Sequence, residues 1–216
     1  MRFGVLGTGR VGQALASKLV AVGHQVTMGS RDAAHEGAAA WVAQTGAGAA
    51  GTFADAAAFA EVVINATSGL HSLEALAAAG SANLAGKVLI DVANPLDFSK
   101  GFPPSITHRG DDSLGEQIQR AFPDALVVKT LNTVNCQVMV EPSLAPGGIV
   151  FMGGNHPSAK RQTRDMLLGF GWPDNDIVDC GDITSARGFE AYVVLWTRVM
   201  QVLKTPEFNI RIVRGT

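Results

Sequence analysis

RFGVLGTGRVG, residues 2–12, joins a short apolar run to three glycines, Gly7, Gly9 and Gly12. A helical pattern of apolar residues opens within this segment and runs to Val22, and a second apolar run of strand length follows it. A G-x-G-x-x-G spacing between a strand and a helix is the fingerprint of a dinucleotide-binding βαβ unit. Gly7 is predicted to allow the tight turn, Gly9 to let a diphosphate approach the backbone, and Gly12 to let the helix pack closely on the strand. A glycine-rich turn without a ligand is the less favoured interpretation.

Apolar runs of strand length alternate with helical patterns along the rest of the chain. Strands are predicted at Arg2–Leu6, Gln25–Met28, Gly48–Phe53, Val62–Ala66, Val88–Val92, Leu126–Thr130, Ile149–Met152 and Ile177–Cys180. Helices are predicted at Val11–Val22, Ala33–Thr45, Ala54–Ala60, Leu70–Gly80, Leu114–Ala121, Pro157–Phe170 and Ser185–Leu203. This alternation is typical of an α/β protein with a mainly parallel sheet between two layers of helices. We predict a Rossmann-type, doubly wound α/β fold with a small, mostly helical C-terminal portion. Residues 1–135 are expected to form the dinucleotide-binding domain, and residues 136–216 to complete the sheet and the substrate pocket.

The composition excludes several classes of protein. The 216 residues are 47% hydrophobic and 17% charged, which supplies a packed core and excludes disorder as the main state. A net charge of −2 lacks the basic surface of a nucleic-acid-binding protein. Cys136 and Cys180 form no disulfide framework or zinc ribbon, so a reducing cytoplasm is expected. No signal peptide or membrane-spanning segment is recognised, and the expected partner is a small molecule rather than nucleic acid or membrane.

The end of the second predicted strand indicates which dinucleotide binds. NAD-binding proteins usually place an acidic residue there to bond the ribose 2′-hydroxyl, but this chain reads GSR and reaches its first acid at Asp32. A hydroxyl and a guanidinium suit a 2′-phosphate, with which they form charge-assisted hydrogen bonds. We therefore expect NADP(H) rather than NAD(H), with Ser30 and Arg31 at the 2′-phosphate. Arg10 and His35 are further candidates for this phosphate, although His35 is better explained as a surface residue.

Polar residues also follow three later strands, at the sheet edge where α/β proteins bind their ligands. Ala66-Thr67 follows the fourth strand and Asn94-Pro95 the fifth, and both pairs are predicted to border the nicotinamide ribose. Asn132 and Thr133 follow the sixth strand and are predicted to orient a carboxamide or a flat ring, ordinary turn capping being the alternative. Hydride transfer depends on placing two rings more than on acid–base side chains.

No further catalytic arrangement is recognised in the sequence. The five histidines show no metal-ligand spacing, and no P-loop or G-x-S-x-G motif occurs. Cys136 has no histidine placed to activate it and is predicted to be a small buried hydrophobe. The site residues are therefore expected to bind and position, without a metal.

Two segments are predicted to complete the site. Residues 94–112 are rich in proline and glycine and too long for an ordinary connection, so we interpret them as a functional loop rather than a disordered one. The helix Ser185–Leu203 is apolar on nearly every face, which predicts burial in the C-terminal core or across a symmetric dimer interface. Together with Phe208–Val213 it is expected to close the substrate side. A homodimer is the expected assembly.

These stretches together resemble the family of F420-dependent NADP oxidoreductases. GTGRVG, GSR, the strand exit KTLNT and residues 179–187 with the helix after them match the layout of that family over essentially the whole chain. The resemblance implies hydride transfer between NADPH and a deazaflavin, coenzyme F420, in a pocket that the C-terminal portion completes. It also implies that Thr8, Arg10 and Val11 contact the diphosphate. The residues it assigns to the junction of the two rings are Asn132, Thr133, Val134 and Asn135.

Other functions stay open from the residues alone. A related flavin is an alternative acceptor. A reductase of a small carbonyl or imine compound, as in the loosely similar pyrroline-carboxylate reductases, would carry a longer helical dimerisation domain than 216 residues readily allow. A non-catalytic NADP(H)-binding sensor would shield the nicotinamide face and have no cleft beside Asn132.

Overall fold

A computed structural model describes residues 1–107, 110–213 and 215 of the chain. The strands are β1 (Arg2–Leu6), β2 (Gln25–Ser30), β3 (Ala49–Thr52), β4 (Val62–Asn65), β5 (Val88–Asp91), β6 (Leu96–Asp97), β7 (Ser105–Ile106), β8 (Leu126–Thr130), β9 (Val150–Gly153) and β10 (Ile177–Asp179). The α-helices are α1 (Arg10–Ala21), α2 (Glu36–Thr45), α3 (Phe53–Phe59), α4 (Ser72–Ala79), α5 (Ser81–Leu84), α6 (Leu114–Ala121), α7 (Cys136–Val140), α8 (Pro157–Phe170) and α9 (Ala186–Leu203). No helix among the described residues is long and apolar enough to cross a membrane.

Eight of these strands form one sheet, in the order β10-β9-β8-β5-β4-β1-β2-β3. The six strands from β3 to β8 in this order are parallel, β9 runs antiparallel to β8, and β10 is parallel to β9. The strand order reverses between β1 and β4, because the chain fills one side of the sheet first and then the other. Such a switch point opens a crevice at the carboxyl ends of the strands, where open α/β sheets bind ligands. The predicted doubly wound, mainly parallel α/β fold is confirmed.

The central strands bury side chains on both faces, which is why their sequences read as continuous apolar runs. In β1, Phe3 and Val5 belong to one apolar layer and Leu6 to the other, and in β4 the layers divide Ile64 from Val63 in the same way. Helices α1, α2, α7 and α8 cover the first layer, and α3, α4, α5 and α6 cover the second. The period of two along each strand therefore builds both halves of the core.

The predicted elements β1, β8, α6 and α8 occupy their predicted ranges, and the others lie within three residues of theirs. The sequence analysis missed α5, α7 and the β6–β7 hairpin, since each is too short to leave a periodic pattern. The hairpin lies in the predicted functional loop 94–112, of which His108 and Arg109 lie outside the described residues.

Helix α9 is only partly buried within a single chain. Phe189 and Val193 are buried, but Leu195 is 58% exposed, Val202 79% and Leu203 50%. The helix is therefore not enclosed on every side within a single chain.

Candidate dinucleotide and substrate site

In the glycine-rich turn after β1, the physical reason for glycine differs between positions 7, 9 and 12. Gly7 has a φ of +118°, and a Cβ on it would lie 2.5 Å from the carbonyl oxygen of Ala66. A Cβ on Gly12 would lie 2.1 Å from the carbonyl oxygen of Gly7. A Cβ on Gly9, by contrast, would meet no atom of the described residues within 4 Å. Gly7 and Gly12 are thus required by the backbone, whereas Gly9 keeps a space open in front of it.

Helix α1 begins at this open space with unsatisfied donors. Gly9 is its N-cap residue, no side chain caps the helix, and its first turn contains no acidic residue. The first backbone N–H groups of a helix lack intrahelical acceptors and carry the positive end of its dipole. An anionic group fits a helix N-terminus of this kind, so the cradle matches the diphosphate of a dinucleotide.

A cavity of about 440 Å³ lies beside this turn, with Arg31 in its wall. Arg31 is exposed and forms no hydrogen bond or ion pair with the described residues, so its guanidinium is available. Ser30 is only 4% exposed, and its hydroxyl donates to the carbonyl oxygen of Asp32. His35 is exposed and accepts a hydrogen bond from the amide of Gly37 as the N-cap of α2, which gives it a structural role.

A larger cavity of about 690 Å³ adjoins the first. Both cavities share the wall formed by Ala66, Thr67 and Ser68 at the end of β4. The rest of the larger cavity is formed by the start of α1, Leu70, the loops after β5 and β8, β6 with the loop after it, α7 and helix α9. The side chains that α9 contributes are Val193, Trp196, Thr197 and Met200. The larger cavity therefore has a polar wall, formed by the strand exits, and a mostly apolar wall, formed by the C-terminal helix α9.

The polar wall contains a reciprocal amide pair between Asn94 and Asn132. The Nδ2 atom of Asn94 donates to the backbone oxygen of Asn132 at 2.8 Å, and the Nδ2 atom of Asn132 donates to Oδ1 of Asn94 at 2.9 Å. Because a backbone oxygen only accepts, the first bond fixes the orientation of both amides. Oδ1 of Asn132 is then left as an acceptor without a partner among the described residues, although Asn132 is only 3% exposed. A ligand donor beside this oxygen would satisfy it.

The shared wall is held by a second buried network. Oγ1 of Thr67 donates to Oδ1 of Asn65 at 2.7 Å, and Nδ2 of Asn65 donates to Oδ1 of Asp91 at 2.8 Å. Asn65 and Asp91 are fully buried. The cavity wall at Thr67 is therefore tied to the ends of β4 and β5 rather than left on a free loop.

Among the residues that line the larger cavity, the titratable side chains are Arg10, Asp97 and Cys136. Asp97 lines it, and the backbone amide of Ser99 donates to its Oδ1 atom at 2.8 Å. This hydrogen bond holds the pKa of Asp97 below its ordinary value, so the group is a carboxylate at neutral pH. Cys136 lies in the same wall and is 5% exposed, which confirms its predicted burial.

Most of the predicted site residues come together at these two cavities. Gly7, Thr8, Gly9 and Arg31 line the smaller one; Ala66 and Thr67 line both; Arg10, Val11, Asn94, Asn132, Thr133, Val134 and Asn135 line the larger one. Three of the predicted residues, Gly12, Ser30 and Pro95, line neither cavity. The side chain of Asn135 is already engaged, since it accepts from the amide of Gln137 as the N-cap of α7. The segment 208–213 does not close the larger cavity, because none of its residues lines that cavity. Its Phe208 instead stacks on Trp196, with ring centroids 5.2 Å apart.

The sequence analysis missed a buried charged cluster behind the larger cavity. Lys129 donates to Asp91 at 2.7 Å and lies 2.9 Å from Glu190 of α9. A signal was present, because Asp91 and Lys129 are charged residues near the ends of two otherwise apolar strands. Their adjacency depends on the β5–β8 register, which pairs these two residues directly. No group of three or more His, Cys, Asp or Glu in the described part of the chain is arranged to hold a metal ion.

The sequence and the fold together identify the family. The sequence profile described as NADP oxidoreductase, coenzyme F420-dependent, matches residues 2–95. A solved structure from Arthrobacter sp. FB24, provisionally designated an F420-dependent NADP reductase, is 47% identical and superposes with a TM-score of 0.94. That match covers 99% of this chain and 100% of the other. The chain belongs to the F420-dependent NADP oxidoreductase family. It is an NADP-dependent oxidoreductase, as predicted from the glycine-rich turn and the GSR segment.

Two more distant matches align most of this NADP oxidoreductase with part of a longer protein. The rat metalloreductase STEAP3 is 29% identical over 192 residues, which are 88% of this chain but 36% of that protein. The chain therefore spans about a third of the length of that curated relative. An imine reductase from Bacillus cereus BAG3X2 is 20% identical with a TM-score of 0.62, covering 94% of this chain and 63% of the other. At that identity the likeness extends to the fold alone.

Proposed function

We propose that this oxidoreductase transfers a hydride between NADPH and coenzyme F420. The observation that carries the proposal is the pair of adjoining cavities: one beside the glycine-rich turn with an unpaired arginine, the other between the strand exits and α9. The family and its relative from Arthrobacter sp. FB24 favour F420 as the acceptor. When bound, NADPH would supply the hydride from its nicotinamide ring, and the deazaflavin ring would accept it.

The smaller cavity would hold the adenosine half of NADP(H). Its Arg31 guanidinium, free of other partners, would bind the 2′-phosphate by charge-assisted hydrogen bonds. Ser30 would assist after turning its hydroxyl away from the carbonyl of Asp32, to which it now donates. The diphosphate would bind at the start of α1, in the space that Gly9 keeps open, with Thr8, Arg10 and Val11 around it.

The larger cavity would hold the two rings. Ala66 and Thr67, which line both cavities, and Asn94, which lines the larger one, would border the nicotinamide ribose, and the adjacent Pro95 is buried. The unpaired Oδ1 atom of Asn132 would accept a hydrogen bond from the nicotinamide carboxamide or from the second ring. Thr133, Val134 and Asn135 line the same wall, where the rings would meet. These residues position the reactants, and no acid–base role is assigned to them.

The apolar wall would hold the acceptor ring. Val193, Trp196 and Met200 of α9 and Phe98 of the hairpin loop line the larger cavity. Flat aromatic side chains favour stacking with a flat ring over binding of a small aliphatic carbonyl compound. The three α9 side chains belong to the C-terminal portion, which supports the proposal that residues 1–135 bind NADP and that residues 136–216 complete the acceptor pocket.

We further propose that two copies of the chain associate through α9. Leu195, Val202 and Leu203 form an exposed apolar strip along one side of this helix. An apolar strip of this kind marks an interaction surface, and two-fold homodimers are the commonest assemblies. Light scattering is expected to give twice the mass of one chain, and Leu195→Glu should reduce it to a single chain. A single-chain mass for the unmodified protein would refute the dimer.

The assay that tests the proposed function is the oxidation of NADPH, followed by absorbance, with F420, FMN and FAD offered in parallel to the purified protein. We expect turnover with F420 at least tenfold faster than with either flavin. Faster turnover with FMN or FAD would replace F420 by a flavin as the acceptor. Binding of NADPH without turnover on any of the three would refute the proposed function and favour a small carbonyl or imine substrate or a sensor.

A further inference from the structure

Lys129 is a fully buried charge whose three donors all find acceptors. Its Nζ atom lies 2.7 Å from Oδ2 of Asp91, 2.9 Å from Oε1 of Glu190 and 2.5 Å from the backbone oxygen of Ala93. The side chains of Lys129 and Asp91 have no exposed surface, and that of Glu190 is 3% exposed. An ammonium group has three N–H donors, so the coordination of Lys129 is complete.

The two carboxylates are themselves fixed by further donors. Oδ1 of Asp91 accepts from the side chain of Asn65 at 2.8 Å and from the backbone amide of Ala93 at 3.1 Å. Glu190 accepts from the backbone amides of Leu114 and Gly115, at the start of α6, at 2.9 and 3.1 Å. Each charge is thereby held in one position by groups from several elements.

Lys129 has no exposed surface and three occupied donors, so it is not placed to pass a proton to a ligand in the cavity. Burial by itself lowers the pKa of the ammonium group, but Asp91 and Glu190 outweigh burial and raise the pKa above its ordinary value. Lys129 therefore stays charged at neutral pH. A well-packed apolar trio is often as stable as a buried ion cluster, so stability alone does not account for these three charges.

The cluster links the segments that form the polar and the apolar wall of the larger cavity. On one side, Ala93 is directly followed by Asn94, which forms the amide pair with Asn132. On the other side, Glu190 lies one turn before Val193 and two turns before Trp196 and Thr197, all of which line the cavity from α9. The ammonium group of Lys129 forms ion pairs with both Asp91 of β5 and Glu190 of α9.

We propose that Lys129 is a positioning residue that sets the distance between the polar and the apolar wall of the ring-binding cavity. The proposal rests on the proposed function in assigning the nicotinamide ring to this cavity. Lys129 acts through Asn94 and through α9, and it touches no ligand itself. The glycine-rich turn follows β1 and Arg31 follows β2, and neither belongs to the cluster, so the affinity for NADPH should depend little on it.

The test compares Lys129→Met with a matched control, Arg187→Gln. Arg187 also joins α9 to α6, but it does so through hydrogen bonds to Glu116, which is not part of the Lys129 cluster. Three quantities are measured for both variants: the midpoint of thermal unfolding, the Kd for NADPH, and the emission and anisotropy of the bound reduced nicotinamide. With F420 as acceptor, kcat and KM are measured as well.

For Lys129→Met we expect a Kd for NADPH within threefold of the unmodified protein, a nicotinamide anisotropy close to that of mobile cofactor, and a kcat at least tenfold lower. The control is expected to keep the nicotinamide signal and kcat within twofold and to lose less thermal stability, because the Arg187 side chain is 40% exposed whereas that of Lys129 is fully buried. Equal loss of signal in both variants, or an unchanged signal in Lys129→Met, would overturn the proposal.

If Lys129→Met fails to fold, Glu190→Gln replaces it, because Lys129 then keeps its contacts with Asp91 and Ala93. The same loss of nicotinamide signal is expected, and an unchanged signal would again overturn the proposal. The fluorescence comparison needs NADPH alone. A wild-type protein that holds the nicotinamide rigidly but does not reduce F420 would therefore refute the proposed function and not the role of Lys129.

Discussion

Replacing Arg31 by alanine is expected to weaken the binding of NADPH and to leave the binding of NADH nearly unchanged. Arg31 is exposed and makes no hydrogen bond or ion pair with the described residues, so its loss should change the free energy of unfolding by less than about 0.5 kcal/mol. A hydrogen bond to a charged group contributes about 1.5–3 kcal/mol. Because Arg31 is exposed, the lower end of this range applies, and about 1.4 kcal/mol corresponds to a tenfold change in Kd. We therefore expect the Kd for NADPH to rise at least tenfold.

NADH lacks the 2′-phosphate, so its Kd should change less than about twofold. Titration of nicotinamide fluorescence measures both constants on the same sample. Arg10→Ala is the matched control, since Arg10 lies at the first residue of α1, where the diphosphate common to both cofactors would bind. Arg10→Ala should raise the Kd for NADPH and the Kd for NADH by the same factor.

The salt dependence gives a second criterion. Exposed charge–charge contacts are screened over about 10 Å at 0.1 M and about 3 Å at 1 M ionic strength. The preference for NADPH should therefore shrink as salt is added, and Arg31→Ala should remove most of that dependence. Equal weakening of both cofactors by Arg31→Ala, or an undiminished preference for NADPH, would show that Arg31 does not contact the phosphate.

Three further predictions concern other residues of the chain. Asn132→Leu should lower kcat about a hundredfold and change the Kd for NADPH less than threefold in single-turnover and binding assays; parallel losses would instead assign Asn132 to the binding of the cofactor. Gly9→Ala should unfold at the temperature of the unmodified protein yet bind NADPH at least tenfold more weakly, whereas Gly12→Ala should unfold at a clearly lower temperature because its Cβ would lie 2.1 Å from a backbone oxygen. The Arg187 guanidinium holds the pKa of Glu116 below its ordinary value, so this pair stabilises the fold above about pH 4.3 and loses its effect as the pH falls further. Glu116→Gln should therefore lower Tm by about 2–4 °C at pH 7 and by less at pH 3, and an equal shift at both pH values would contradict this reasoning.

The local patterns of this sequence were sufficient to predict the sheet and the glycine-rich turn. Strands β1 and β8 and helices α6 and α8 fall on their predicted ranges, because an apolar run or a 3.6-residue period is a property of contiguous residues. The roles of Gly7 and Gly12 follow from backbone sterics within one turn, and the geometry agrees with both. The β6–β7 hairpin pairs only two residues on each side, and no local pattern distinguishes it from a loop.

The sequence by itself determined the doubly wound fold, the glycine-rich turn and the membership in the NADP-dependent family, since each rests on residues adjacent along the chain. Only the tertiary structure decided what lies across the larger cavity from the strand exits. Trp196 is more than sixty residues from Asn132, and Glu190 is about as far from Lys129. Their proximity depends on how α9 returns across the ends of β5 and β8, and it was also the tertiary structure that left one side of α9 exposed. Packing over such separations is fixed by the sum of many weak contacts along both segments, which no single spacing in the sequence records.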